Sequence, residues 1–145
     1  MAKADLKKTL SVGSDAFFET ITKYEEYPQF IDGVTQAKVN RAESGATVVH
    51  YKLNMMGKDL EYVLEHKADA SSKKMEWTLI ESDVFKKNSG FWHVKSSGNG
   101  KCEIEYEVEV EFKIMVPGFL LKRLVSGSLP AMIKSFEDRA KSSQK

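Results

Sequence analysis

The sequence of 145 residues has little of several features that define common classes of protein. It contains a single cysteine, Cys102, so no disulfide can form within the chain and we expect a reducing compartment. Its 22 Lys and Arg residues nearly balance its 21 Asp and Glu residues. Without an excess of positive charge, nothing in the composition favours binding to nucleic acid.

Long apolar segments are also missing. No stretch approaches the roughly 18 apolar residues that a membrane-spanning helix needs. The opening residues, MAKADLKK, are not followed by the apolar core of a secretory signal. We therefore expect a cytoplasmic protein, for which peripheral contact with a membrane stays open.

Sequence patterns that mark well-known catalytic sites are absent as well. The chain has no G-x-S-x-G, no H-E-x-x-H and no glycine-rich phosphate loop. Alternation places His66 on an inner face and His50 and His93 on an outer face, so no cluster of metal ligands is evident. We predict no catalytic residue, no metal and no cofactor. We interpret His66 as tethered to a neighbouring hydroxyl or backbone group.

The strongest pattern that is present is the alternation of residues 103–114, EIEYEVEVEFKI. Side chains of a strand point to opposite faces with a period of two, so this segment predicts one strand, roughly 40 Å long. One face carries five glutamates and is expected to be solvated. The other face is apolar and partly aromatic, and Cys102 falls on it as a small core residue.

The remaining elements predict an α+β fold in one domain that covers residues 1–145. A first strand over residues 4–12 precedes a helix with Ser14 as its N-cap, and a second short helix has Pro28 in its first turn. Strands are predicted at 36–42, 46–55, 59–68, 75–81 and 85–95, followed by the long strand. Their short loops require an antiparallel sheet of about seven strands, with Asn99-Gly100 as a type I′ hairpin.

The C-terminal segment predicts a helix that packs on this sheet. Apolar residues recur there at spacings of three and four, from Leu121 to Ala140, after a helix-entry signal at Pro117-Gly118. Gly127 and Pro130 predict that the helix is kinked or split. We hypothesise that its first half could move as a lid.

Several segments together resemble a known family. The order of elements, the YEEYPQF segment at 24–30, the GFW at 90–92 and the EVEVEFKI…SFEDRA ending are similar to the helix-grip superfamily. This START-like superfamily contains polyketide cyclases, lipid-transfer domains and coenzyme Q-binding proteins, and the resemblance covers residues 4–141. It implies a curved seven-stranded antiparallel sheet wrapping a long C-terminal helix, with two short helices after the first strand. It also implies a hydrophobic ligand held between the sheet and that helix.

Inward-facing residues of this arrangement are candidate contacts for such a ligand. Tyr51, Tyr62 and Tyr106 would supply polar groups on an apolar wall, while Trp77 and Trp92 would form flat surfaces. Ordinary core packing is the alternative for each of them. The full set of candidate ligand-binding residues is Tyr51, Leu53, Tyr62, Leu64, His66, Trp77, Leu79, Trp92, Tyr106, Val108, Phe119, Leu124 and Met132.

Apolar residues also fall where loops are expected. Phe119 and Leu120 stand beside Lys122 and Arg123, a combination that would suit a ligand entrance or an anionic membrane surface. The alternative is that these residues pack on one another. No pattern indicates a specific protein partner, and a monomer or a weak dimer is expected.

Two functions remain open from the sequence. The first is binding or transport of a small hydrophobic molecule, such as a lipid, a quinone or a polyketide, without catalysis. The second is a polyketide aromatase or cyclase that uses the same cavity, in which Tyr51, Tyr62, Tyr106 and His66 would move protons, and Glu81 if it faces inward. The names of family members do not decide between them, because one fold serves many functions.

Overall fold

A computed structural model of the chain describes residues 2–31, 33–41, 46–55, 58–113, 115, 117–123 and 129–143. Its elements are, in chain order, β1 (Ala2–Leu10), α1 (Ser14–Ile21), a 3₁₀ turn (Tyr24–Glu26), α2 (Tyr27–Phe30), β2 (Val34–Arg41), β3 (Ala46–Met55), β4 (Lys58–Asp69), β5 (Lys74–Ser82), β6 (Phe85–Gly98), β7 (Lys101–Phe112), α3 (Gly118–Arg123) and α4 (Leu129–Ser143). The predicted α+β class and the helix-grip arrangement are both confirmed.

The seven strands form one curved antiparallel sheet in the order β1-β7-β6-β5-β4-β3-β2. Strands β2 to β7 follow one another as a meander, and β1 then closes the sheet by pairing along the far edge of β7. At the β6–β7 hairpin, Asn99 and Gly100 have φ values of 55° and 70°. Positive φ at both central residues is what a type I′ turn requires, as the sequence predicted.

The helix starts show one correct expectation and one wrong one. Pro28 lies in the first turn of α2, as predicted, where its missing N–H costs no hydrogen bond. Ser14 is not the N-cap of α1: Gly13 has the extended conformation of a cap, and no side chain there bonds the helix start. Ser14 is the first residue of the helix itself, so the helix begins one residue earlier than predicted.

The apolar stripe of α4 packs across the inner face of the sheet. The ring of Phe136 lies 5.3 Å from that of Trp92 and 5.2 Å from that of Tyr27, measured between centroids. At the other side of α4, Glu137 accepts a hydrogen bond of 3.0 Å from the backbone N–H of Ser11. The C-terminal helix is therefore fixed both to the aromatic face of the sheet and to the end of β1.

A second set of contacts fixes the 3₁₀ turn and α2 to α4. The guanidinium group of Arg139 donates hydrogen bonds to the side chains of Glu26, at 2.9 Å, and Gln29. The same group lies 5.4 Å from the centroid of the Phe30 ring, a cation–π distance. These contacts hold the small helices against one end of the space between the sheet and α4.

Gly90 is required by a close approach inside the sheet. A Cβ atom at this position would lie 2.1 Å from the carbonyl oxygen of Glu107 and 2.6 Å from the ring of Trp77. On the β7 side the pairing register runs through Gly90 without a shift, and on the β5 side the pairing ends at the Trp77–Gly90 pair. Glycine leaves the room into which the indole of Trp77 packs.

The outer face of β7 carries the predicted row of glutamates. Lys3 pairs with Glu107 at 2.8 Å and Lys87 with Glu109 at 2.9 Å, both from neighbouring strands. Exposed ion pairs of this kind contribute little to stability. This row is a solvated sheet face, which leaves the inner face as the place for a site.

Candidate ligand-binding cavity

A cavity of about 230 Å³ lies between the inner face of the sheet and α4. Strands β3 to β7 contribute most of its wall, and Leu129, Met132 and Phe136 of α4 contribute the rest of the opposite side. Because the lining is almost wholly apolar, water gains few hydrogen bonds inside it. Such a space favours an apolar guest.

Aromatic rings form the largest part of the wall. The rings of Trp92 and Tyr106 lie 4.5 Å apart between centroids, and those of Trp77 and Tyr106 lie 5.7 Å apart and nearly parallel. Tyr51 stacks on Tyr62 at 5.1 Å. Rings in contact with one another restrict each other's orientation, so the wall has a defined shape.

A buried polar pair interrupts this apolar wall. The hydroxyl of Tyr51 lies 2.8 Å from Nε2 of His66, whose Nδ1 lies 3.3 Å from the sulfur of Met75. The ring of Tyr24 stacks on His66 at 4.2 Å. His66 is thus tethered to a neighbouring hydroxyl, which is the role that its inward position on β4 suggested.

Burial fixes the protonation states of these groups. It lowers the pKa of His66 from 6.5 to about 3, so the imidazole is neutral near pH 7. Burial raises the pKa of Tyr51 well above its ordinary value, and the neighbouring Tyr27 and Tyr62 raise it further. The pair is therefore a neutral hydrogen-bonded unit rather than an ion pair.

Two further hydroxyls belong to the lining. Burial raises the pKa of Tyr62 to about 12, and burial together with the neighbouring Tyr62 raises the pKa of Tyr106. Within the described part of the chain, neither hydroxyl forms a hydrogen bond, and neither oxygen is fully buried. Both hydroxyls can thus bond a guest or a water molecule.

The structure brings most of the candidate residues of the sequence to this cavity. Tyr51, Tyr62, Leu64, His66, Trp77 and Trp92 line it from β3 to β6, and Tyr106, Val108 and Met132 line it from β7 and α4. Leu53 and Leu79 are half-buried and are not among the described lining residues. Phe119 is 67% exposed, on α3. Leu124, and Gly127 of the hypothesised lid, lie outside the described residues.

Asn88 is a lining residue that the sequence reasoning missed. Its side-chain oxygen accepts a hydrogen bond of 3.0 Å from the indole N–H of Trp77. The signal was available, because Asn88 shares the even-numbered phase of Gly90, Trp92 and Val94 on β6. The bond holds the indole of Trp77, which also lines the cavity, in place.

Glu81, which would have been the carboxylate of an enzymatic site, does not enter the cavity. The pairing of β4 with β5 shifts by one residue after Leu64 and Leu79, so that Val63 pairs with Glu81. This bulge reverses the phase of the end of β5. Glu81 is exposed as a result, and Ser82 is buried in its place.

Among the described residues, no group of three His, Cys, Asp or Glu side chains is placed to hold a metal ion. None of the described helices has the length and apolar character needed to cross a membrane.

The geometry defines a helix-grip protein, in which an apolar cavity lies between a curved sheet and a C-terminal helix. Residues 12–137 match the family model described as "Polyketide cyclase / dehydrase and lipid transport", and the chain belongs to this family. Among curated proteins, none matches the chain significantly.

Several solved structures share this fold at low sequence identity. Protein TTHA0849 from Thermus thermophilus has a TM-score of 0.83 at 18% identity, covering 99% of this chain and 100% of that one. A START superfamily protein from Mycobacterium smegmatis has a TM-score of 0.83 at 17% identity, covering 97% of each chain. The Zhui aromatase/cyclase from Streptomyces has a TM-score of 0.77 at 12% identity, covering 99% of this chain and 96% of that one. These likenesses establish the shared fold.

Proposed function

We propose that the protein binds a small hydrophobic molecule in the cavity and carries it without changing it. A lipid, a quinone or a polyketide would each supply the required apolar surface. The observation that supports this proposal is the apolar cavity of about 230 Å³, with its wall of mutually packed aromatic rings. Protein cores are normally close-packed, so a space of this size is not expected in a core that serves stability alone.

The volume limits what the cavity encloses. An apolar cavity of roughly 150 Å³ in another protein is known to take up benzene. A cavity of about 230 Å³ therefore holds one or two fused rings or a short acyl segment. A longer lipid or a prenylated quinone would place its ring in the cavity and leave its tail outside.

The same pocket makes catalysis the weaker alternative. A polyketide cyclase needs a group that accepts a proton near neutral pH. His66, with its pKa lowered to about 3, is a poor base, and its Nε2 already bonds the hydroxyl of Tyr51. The resemblance to an aromatase/cyclase structure at 12% identity concerns the fold and supplies no catalytic group.

Delivery to a membrane would fit the exposed apolar residues near α3. Met115 is 96% exposed and Phe119 is 67% exposed, in a region that also carries the exposed Lys122. Apolar side chains beside a lysine are suited to the interface of an anionic bilayer. We include peripheral membrane contact in the proposed carrier function.

The proposal is tested by identifying what the protein carries. Protein purified without detergent is analysed by native mass spectrometry, and any bound molecule is extracted and identified. Thermal shifts are then measured with a panel of quinones, fatty acids and aromatic polyketides. We expect a molecule at stoichiometric occupancy, or a rise in the melting temperature with at least one class.

A variant that fills the cavity separates specific from surface binding. Val108→Phe adds a ring to the wall and is expected to abolish the shift, while Ile80→Phe makes the same kind of change at an exposed position, where Ile80 is 50% exposed. Leu64→Phe is a second filling variant, in case Val108→Phe does not fold. Undiminished binding by a folded filling variant would overturn the proposed site.

A further inference from the structure

The hydrogen-bond directions at the Tyr51–His66 pair are fixed by the third member, Met75. A thioether sulfur has no proton to donate and can only accept. The contact of 3.3 Å between Nδ1 of His66 and the sulfur of Met75 therefore places the imidazole proton on Nδ1. The other nitrogen, Nε2, is then unprotonated and accepts the proton of the Tyr51 hydroxyl at 2.8 Å.

In this arrangement the Tyr51 hydroxyl donates its proton to Nε2 of His66. A phenolic oxygen keeps acceptor capacity after its proton is bonded. Donation to a neutral imidazole also polarises the O–H bond and makes the oxygen a better acceptor. Within the described residues, no other side chain or backbone group donates to this oxygen, and both Tyr51 and His66 line the cavity.

Charge on the wall excludes one class of ligand. Lys3 is the cationic residue among the described lining residues, and its Nζ pairs with Glu107 at 2.8 Å on the outer face of the sheet. A carboxylate inside the cavity would lose its hydration without gaining a cation, which is strongly unfavourable. A neutral ligand does not carry this penalty.

From these contacts we infer that Tyr51 selects a neutral ring compound with an O–H or N–H donor, such as a phenol, over its ether and over a carboxylate. The inference rests on the proposed binding function and assigns the chemical class of its ligand. Met75 and His66 act as positioning residues that orient the Tyr51 hydroxyl, and Tyr51 makes the contact.

The test uses four probes that share one ring system: 2-naphthol, 2-methoxynaphthalene, naphthalene and 2-naphthoate. Dissociation constants are measured by isothermal titration calorimetry. One neutral hydrogen bond changes affinity by about fivefold. We therefore expect 2-naphthol to bind about fivefold tighter than 2-methoxynaphthalene, and 2-naphthoate to bind least.

Variants show whether Tyr51 is the source of the preference. In Tyr51→Phe, we expect the ratio between 2-naphthol and 2-methoxynaphthalene to fall to about one, while naphthalene still binds. The hydroxyls of Tyr62 and Tyr106 can donate to an ether as well as accept from a phenol, so they favour neither probe. In Tyr27→Phe, the matched change, the lost hydroxyl donates to the carbonyl of Ile21 in the native protein, so the ratio is expected to stay as in the wild type. His66→Leu frees the Tyr51 proton for donation to an ether and should reduce the ratio.

The outcomes separate this inference from the function on which it rests. If naphthalene and 2-naphthol bind the wild type equally, or if Tyr51→Phe keeps the wild-type ratio, the assigned role of Tyr51 is wrong and the binding function stands. If none of the four probes binds, the proposed cavity function fails and the inference fails with it.

Discussion

Replacing Gly90 by alanine tests the packing between the sheet and the cavity wall. The added Cβ would lie 2.1 Å from the carbonyl oxygen of Glu107, a backbone atom that cannot swing aside, and 2.6 Å from the Trp77 ring. The ring would have to leave its position. It would then lose its hydrogen bond to Asn88 and its stacking on Tyr106.

The size of the effect follows from these losses. Overpacking a close-packed site costs about 1–3 kcal/mol, a hydrogen bond about 1 kcal/mol and an aromatic contact about 0.5–1.5 kcal/mol. We expect Gly90→Ala to lower the free energy of unfolding by about 3–5 kcal/mol. Ligand affinity should also fall, because Trp77 is part of the cavity wall.

Urea unfolding followed by tryptophan fluorescence measures this change. Gly118→Ala is the matched control, since a Cβ there meets nothing within 4 Å, and we expect it to unfold within about 0.5 kcal/mol of the wild type. A Gly90→Ala protein with wild-type stability would show that the sheet absorbs the extra methyl group. The cavity wall around Trp77 would then not be rigid.

Two further predictions concern pH and membranes. The pKa of His66 is lowered from 6.5 to about 3 in the folded state, so the unfolded state binds more protons between these values and stability falls as the pH drops through this window. The slope should approach about 1.4 kcal/mol per pH unit in urea titrations from pH 7 to 4 and be smaller in His66→Gln; equal slopes would argue against a buried neutral imidazole. For membrane contact, we expect Phe119→Ser to weaken co-sedimentation with vesicles of phosphatidylserine and phosphatidylcholine, whereas Ile80→Ser, which removes an exposed apolar side chain of β5 rather than of α3, should not. Equal binding by both variants would contradict a role for the α3 region.

Strict alternation allowed the strands of the sheet to be predicted from the sequence. The predicted bounds of β3, Ala46–Met55, match the structure, and the inward phases of Tyr51, His66 and Trp77 follow from a period of two. Local rules failed where the outcome depends on a partner strand. The bulge that exposes Glu81 arises from pairing with β4, and no pattern in the sequence of β5 predicts it.

The cavity could not be predicted from periodicity. Alternation identifies which side chains face inward, but it does not say whether they meet or leave a space. The resemblance to a family supplied the expectation of a hollow. The pairing of Tyr51 with His66 also required the structure, because the two residues are brought together by the register between β3 and β4.

The pairing of β1 with β7 has a consequence for how the chain folds. Ala2 pairs with Val110 and Leu10 with Cys102. The two paired strands are therefore far apart in the sequence, with all the other strands between them. Closing so large a loop is entropically costly and makes such contacts late events in folding. During synthesis the meander of β2 to β7 can form hairpin by hairpin, whereas β1 can pair only after β7 has been synthesised. We therefore expect side chains of β1 to govern the lifetime of the folded state more than the speed with which it forms.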